Sequence, residues 1–170
     1  MALIKTVNNT QPQWGQDCFF AENATLVGDV VMGDECSVWF QAVVRGDVNS
    51  IRLGNRVNIQ DGAIIHCTFE RSSTHIGSHV SVGHQAIVHG CRIHDDVLVG
   101  MGSRIMDHAV VESGCIIAAG AVILENTICE SGYIYAGVPA RKIKPVSPEL
   151  LEGEIRRIAN NYVRYASWYK

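Results

Sequence analysis

At 170 residues, 47% of them hydrophobic, the chain has the length of one domain and enough apolar content for a sizeable core. A net charge of -3 gives no electrostatic case for nucleic acid or an anionic membrane surface as a partner. No apolar run approaches the roughly 20 residues of a membrane span, and Met1-Ala-Leu-Ile-Lys5 shows no signal-peptide apolar region. The six cysteines form no Cys-x-x-Cys pair, which points to a reducing cytoplasm rather than a disulfide framework.

Along the chain, apolar residues recur every sixth place. The series begins Phe20, Leu26, Met32, Val38, Val44 and, after a three-residue slip, continues Leu53, Ile59, Ile65. It resumes at Ile76, Val82, Val88, then runs Ile93, Val99, Ile105, Val111, Ile117, Ile123. Four positions after most of these stands a small or branched residue, among them Ala24, Cys36, Ala42, Ala63, Ala86, Ala109, Cys115 and Ala121. A period of six fits neither an amphipathic helix nor plain alternation; it is the signature of hexapeptide β-helix repeats, each hexad one short strand and a corner. Three hexads close a triangular coil, so the repeat predicts about six or seven coils with the large aliphatics inward. Cys36 and Cys115 fall on the small corner position and read as buried thiols.

The pattern ends at Val138-Pro-Ala-Arg-Lys142. The β-helix and its lead-in are expected over 1–140, with a linker and a C-terminal helix packed on it over 141–170. Ser147 can cap that helix, with Pro148 in its first turn. Leu151, Ile155, Ile158, Tyr162, Tyr165 and Tyr169 then share one stripe.

Counting faces places the histidines. With the face that starts at Ile65 called face one, Val44 and Val88 start the same face on the neighbouring coils. Arg45, His66 and His89 then form one outward column, neighbours about 4.8 Å apart. Ile59, Val82 and Val99 start face three, which puts Gln60, Gly83 and Gly100 outward and Asp61 beneath His84. His84 therefore lies on a different face from His66 and His89. If three copies surround a threefold axis, face one of one chain meets face three of the next, and His84 of the neighbour completes a three-imidazole site. Three neutral imidazoles leave a zinc ion one position for water. Arg45 would meet Asp61 across that interface, and Gln60 would stand near the fourth metal position. His75, His79, His94 and His108 join none of these columns and are read as solvated or loop residues. Cys67 should point away from His66.

The stretches Val44-Arg-Gly-Asp47, Asn58-Ile-Gln-Asp-Gly62, Ile65-His66, Gly83-His-Gln-Ala-Ile-Val-His-Gly90, Val99-Gly-Met-Gly102 and Ala136-Gly-Val-Pro-Ala140 resemble the gamma-class carbonic anhydrases, in the subclass without an acidic loop. The resemblance covers most of the chain. It implies an all-β fold, a left-handed parallel β-helix with a C-terminal α-helix, assembled as a homotrimer with metal sites at the interfaces. His66, His84 and His89 fall on the family's metal ligands. Arg45, Asp47, Gln60 and Asp61 match its site-lining positions, and Tyr162 corresponds to a tyrosine near the site. Phe69 stands where some members carry a proton-shuttling glutamate, and Val48 replaces a further glutamate. Glu70 is a possible substitute for the shuttle.

The implied reaction is reversible hydration of carbon dioxide to bicarbonate by hydroxide on zinc, with ferrous iron or cobalt as other occupants of the same ligands. Two rival readings fit the same residues. A hexapeptide acyltransferase or acyl-CoA-acting enzyme needs one basic histidine and a long groove. A catalytically silent, metal-stabilised trimer needs only the ligands.

Overall fold

Strands mostly two or three residues long stack in parallel into a left-handed β-helix of about seven coils, closed by a C-terminal helix. The computed structural model describes residues 1–169. Two sheets cover the three faces. One of eight strands forms face three, ordered through Phe19–Phe20, Ser37–Val38, Asn58–Ile59, Ser81–Val82, Leu98–Val99, Ile116–Ile117 and Tyr133–Gly137, with Ala140–Pro145 at its edge. The other, of twelve strands, wraps faces one and two, because the strands Thr25–Met32 and Val43–Leu53 turn the corner without a break.

The sixfold pattern sets the register. Val44, Ile65, Val88, Ile105 and Ile123 lie side by side up face one, and Val38, Ile59, Val82, Val99 and Ile117 up face three. All ten are buried in one continuous core, where each contributes about 1.5–3 kcal/mol of hydrophobic stabilisation. The small corner residues Ala24, Ala42, Ala63, Ala86 and Ala121 are fully buried as well, as are the thiols of Cys36 and Cys115. Burial pushes the Cys91 and Cys129 thiols up to about 12 and Cys67 up to about 11, so these sulfurs remain protonated.

Two slips in the count shape the surroundings of the histidines. At the first, Asp47, Val48, Asn49 and Ser50 bulge from the long strand, between Gly46 paired with Gly28 and Ile51 paired with Val30. A Cβ on Gly46 would sit 2.5 Å from the Asp29 carbonyl oxygen, so only glycine lets the two corners nest. At the second, Thr68–Ser73 forms a short loop at the corner before the strand Thr74–Ile76.

After the last coil, Ala140–Pro145 folds back antiparallel on Tyr133–Gly137 through a turn holding the cis Val138–Pro139 bond. Ser147 Oγ caps the helix by accepting from Leu150 N at 3.3 Å. The helix opens as Pro148–Leu150, widens through a π turn at Leu151–Arg156, and continues as Arg157–Ser167. Its apolar stripe lies on the β-helix: Ile155 and Ala159 are buried, Tyr162 packs edge-on to Trp39 at 5.2 Å, and Tyr169 stacks 5.3 Å from Phe19. Among the described residues no helix is long and apolar enough to cross a membrane.

Candidate metal centre

His66 and His89 are direct register partners on adjacent coils of face one. His66 Nδ1 lies 3.2 Å from His89 Nε2. Arg45, one place beyond Val44, stands on the coil before His66 and turns to Asp47, with Nη1 2.6 Å from Oδ2. The other Asp47 oxygen lies 3.2 Å from His66 Nε2, so the bulge at the first slip brings a carboxylate to the histidine. Burial would raise the Asp47 carboxyl, but hydrogen bonds from Arg45 and His66 outweigh it and hold it below the usual carboxylate range. Burial lowers the His66 pKa more than its bond to Asp47 raises it, and the neighbouring positive groups add to the effect. A neutral imidazole with a free lone pair is the form that binds a metal.

His89 is held by a residue that counting did not single out. Its Nδ1 lies 2.6 Å from Asp107 Oδ1, while Thr68 Oγ1 donates to Asp107 Oδ2 at 2.5 Å. Burial would raise this carboxyl too, but the Thr68 hydroxyl and His89 keep it low and ionised. Space for the carboxylate exists because residue 90 is glycine: at φ +58° a Cβ there would lie 2.1 Å from Asp107 Oδ1 and 2.2 Å from Ser72 Oγ. A carboxylate on Nδ1 fixes the tautomer that presents Nε2 as the ligand atom. Register gave no signal for it: Val88 pairs with Ile105, so Met106 is level with His89 on the next coil and Asp107 is level with Gly90.

His84 is on face three. Its Nδ1 lies 3.0 Å from Asp61 Oδ2, which again leaves Nε2 for a ligand role. Beside it runs a groove of 410 Å³ between face three and the terminal helix, with Gln60, Gly83 and Tyr162 in its wall. Gln60 is buried, with Nε2 donating to Asn58 Oδ1 at 3.0 Å and Asn58 Nδ2 donating to Ser81 Oγ at 2.8 Å. Burial, reinforced by Asp61 and Tyr165, pushes the Tyr162 phenol up to about 12, so it is a neutral hydrogen-bonding group.

The structure thus gathers the predicted residues into two sets. Arg45, Asp47, His66 and His89 stand on face one, and Gln60, Asp61, His84 and Tyr162 on face three. Within a single chain the two do not meet: among the described residues no group of three His, Cys, Asp or Glu side chains is arranged to hold a metal. Arg45 is engaged by Asp47 and Asp61 by His84 inside one chain. Cys67 is buried, its Sγ donating to the Asn49 carbonyl at 3.4 Å, away from His66. Phe69 is 62% exposed at the tip of the Thr68–Ser73 loop, and Glu70 beside it is exposed with φ 55°. His75, His79, His94 and His108 stand apart from both sets, His79 and His108 at corners with positive φ.

The donor set fits a divalent metal that accepts imidazole nitrogen, with carboxylates placed to orient His89 and His84. Residues 90–125 match the family described as bacterial transferase hexapeptide, six repeats. The chain is 42% identical over 171 residues to a carbonic anhydrase of Geobacillus kaustophilus, covering 99% of this chain and 91% of that one. It is 38% identical over 168 residues to mitochondrial gamma carbonic anhydrase 2 of Arabidopsis thaliana, covering 96% of this chain but 60% of the plant protein's length. A crystal structure of a hexapeptide transferase family protein from Anaplasma phagocytophilum superposes with a TM-score of 0.94 at 34% identity, covering 99% and 98% of the two chains. The fold is that of a hexapeptide-repeat β-helix, and the chain belongs to the gamma-class carbonic anhydrase family.

Proposed function

We propose that the protein hydrates carbon dioxide reversibly to bicarbonate, at metal sites shared between the subunits of a homotrimer in the cytoplasm. One observation carries the reading. His66 and His89 face each other on one side of the prism, while His84, with its own carboxylate, faces outward from another. A threefold arrangement joins those two faces, which a single chain holds apart. The buried, protonated thiols suit a reducing compartment.

His66, His89 and the neighbouring subunit's copy of His84 would hold Zn²⁺, with Fe²⁺ or Co²⁺ as other candidates. When bound, such an ion supplies the Lewis acidity that makes water nucleophilic near neutral pH. The surrounding residues keep the site aimed. Asp107 fixes His89 and Asp61 fixes His84 through Nδ1. Asp47 links His66 to Arg45, and the Arg45 guanidinium is free to add a contact to Asp61 of the neighbouring subunit. Gln60, with Nε2 committed to Asn58, offers its amide oxygen to orient water, and the Tyr162 phenol stays a proton donor at the groove. Hydration adds water to carbon dioxide and yields bicarbonate plus one proton. With Phe69 on the loop, that proton leaves through solvent buffer. Metal analysis of the purified protein beside a hydration assay tests the reading. Roughly one metal ion per chain, with hydration abolished by a chelator, is expected. Metal-free protein without hydration would overturn it.

A second reading has the 410 Å³ groove in its favour, since a cleft beneath the terminal helix suits a pantetheine arm with His84 as general base. Slowed hydrogen exchange at Leu98–Met101 on adding acetyl-CoA would favour it. Metal without hydration would favour a silent trimer.

A further inference from the structure

Face two carries a second site that the proposed reaction does not use. Its outward residues Arg52, His75, Arg92 and Val110 are register partners on successive coils. Neighbouring strands in a sheet lie about 4.8 Å apart, so two guanidiniums flank one imidazole. Arg52 is compensated by Asp29 at 2.7 Å. Arg92 is not: among the described residues neither it nor Arg71 has a carboxylate partner. Both border a groove of 270 Å³ whose walls include Ser73, His75 and His108, and no carboxylate lines it.

Like charges facing one another repel, and a sheet face ordinarily sets opposite charges across from them. Here Arg71 and Arg92 border one groove with hydroxyl and imidazole groups instead. Ser73 Oγ lies 3.0 Å from His75 Nε2, which leaves the second ring nitrogen for another partner. Burial, with Arg92 and Arg52 beside it, lowers the His75 pKa, as expected where positive charge is in excess. Ser72 and Gly90, on the floor of the groove, form its boundary with Asp107.

We propose that this groove binds a small oxyanion, held by the Arg71 and Arg92 guanidiniums with Ser73 and His75 as hydrogen-bonding partners. Guanidinium matches the paired oxygens of carbonate and phosphate groups better than it matches a monatomic anion. Bicarbonate and inorganic phosphate share that chemistry. The groove opens on face two, and although Ser72 and Gly90 in its wall also adjoin Asp107, the proposal needs no metal on the histidines.

Histidine-labelled protein is titrated with sodium phosphate, sodium bicarbonate and sodium chloride at constant ionic strength, following the His75 ring resonance by NMR. A saturable shift with at least one oxyanion, absent with chloride, is expected, and the tighter of the two is the oxyanion the groove prefers. Replacing both Arg71 and Arg92 with Ala should weaken binding roughly tenfold or more, tenfold being about 1.4 kcal/mol. Arg164→Ala, an exposed change on the terminal helix, should leave it intact. Both groove arginines are exposed, so the core is untouched by their replacement. An unsaturable response equal to that of chloride, or unchanged affinity in the double variant, would overturn the proposal.

Discussion

His84 and His89 are five residues apart in sequence and stand on different faces of the β-helix, each with a carboxylate on Nδ1: Asp61 at 3.0 Å and Asp107 at 2.6 Å. The separation follows from the repeat. Val82 starts one face and Val88 the next, so neighbours in sequence diverge while His66, a coil away, stands against His89. Equal loss of metal is therefore expected from His66→Ala, His84→Ala and His89→Ala, because each would remove one of the three proposed ligands. Elemental analysis checks this, and full metal retention in any of the three would remove that histidine from the ligand set.

Asp107→Asn should weaken metal binding by about 10–100-fold without unfolding the protein, since it removes the charge that orients His89. Competition with a chelator measures the change. The same loss on Thr68→Ala would be smaller, because Thr68 acts on His89 only through Asp107.

The metal-free protein should lose stability in acid through this carboxylate. Asp107 titrates lower in the folded chain than its ordinary value, so its ionised form favours the fold. That contribution is fully present above the unfolded value of about 3.9 and is lost as the pH falls through the folded one. Thermal midpoints measured against pH with chelator present should fall below about pH 4 in the wild type. In Asp107→Asn the fall over that window should be shallower. Parallel curves would show that the carboxylate is not coupled to folding.

Phe69→Glu tests the proton route. Phe69 is exposed on the loop that follows His66, so the change costs no core packing. If buffer carries the proton, the variant should raise kcat at low buffer concentration and leave kcat/KM nearly unchanged. An equal rise in both would place the effect on the hydration step instead.

Much of this was legible in the sequence because a β-helix makes each inward place answer to one rule. Val44, Ile65 and Val88 had to share a face once the slips were counted, and that alone set His66 against His89. Asp61 beneath His84 followed from the same count. Asp107 was not legible from the histidine columns, since its place on the coil lies level with Gly90 and its carboxylate reaches His89 across the gap that glycine leaves. The first slip was readable as an interruption but not as a continuous strand with a bulge, because Asp47, Asn49 and Ser50 are turn-forming residues that read as a break between strands. The π turn at Leu151–Arg156 gives no periodic signal of its own within a helical stripe.

The shared site is tested most directly by mixing two disabled variants. His84→Ala spoils face three and His66→Ala spoils face one. In a mixed trimer, an intact face one on a His84→Ala subunit can meet an intact face three on a His66→Ala subunit. Co-refolding the two should restore part of the metal content and of the hydration activity that neither variant shows alone. Mixed trimers verified by mass that recover no metal and no activity would contradict a site built between subunits.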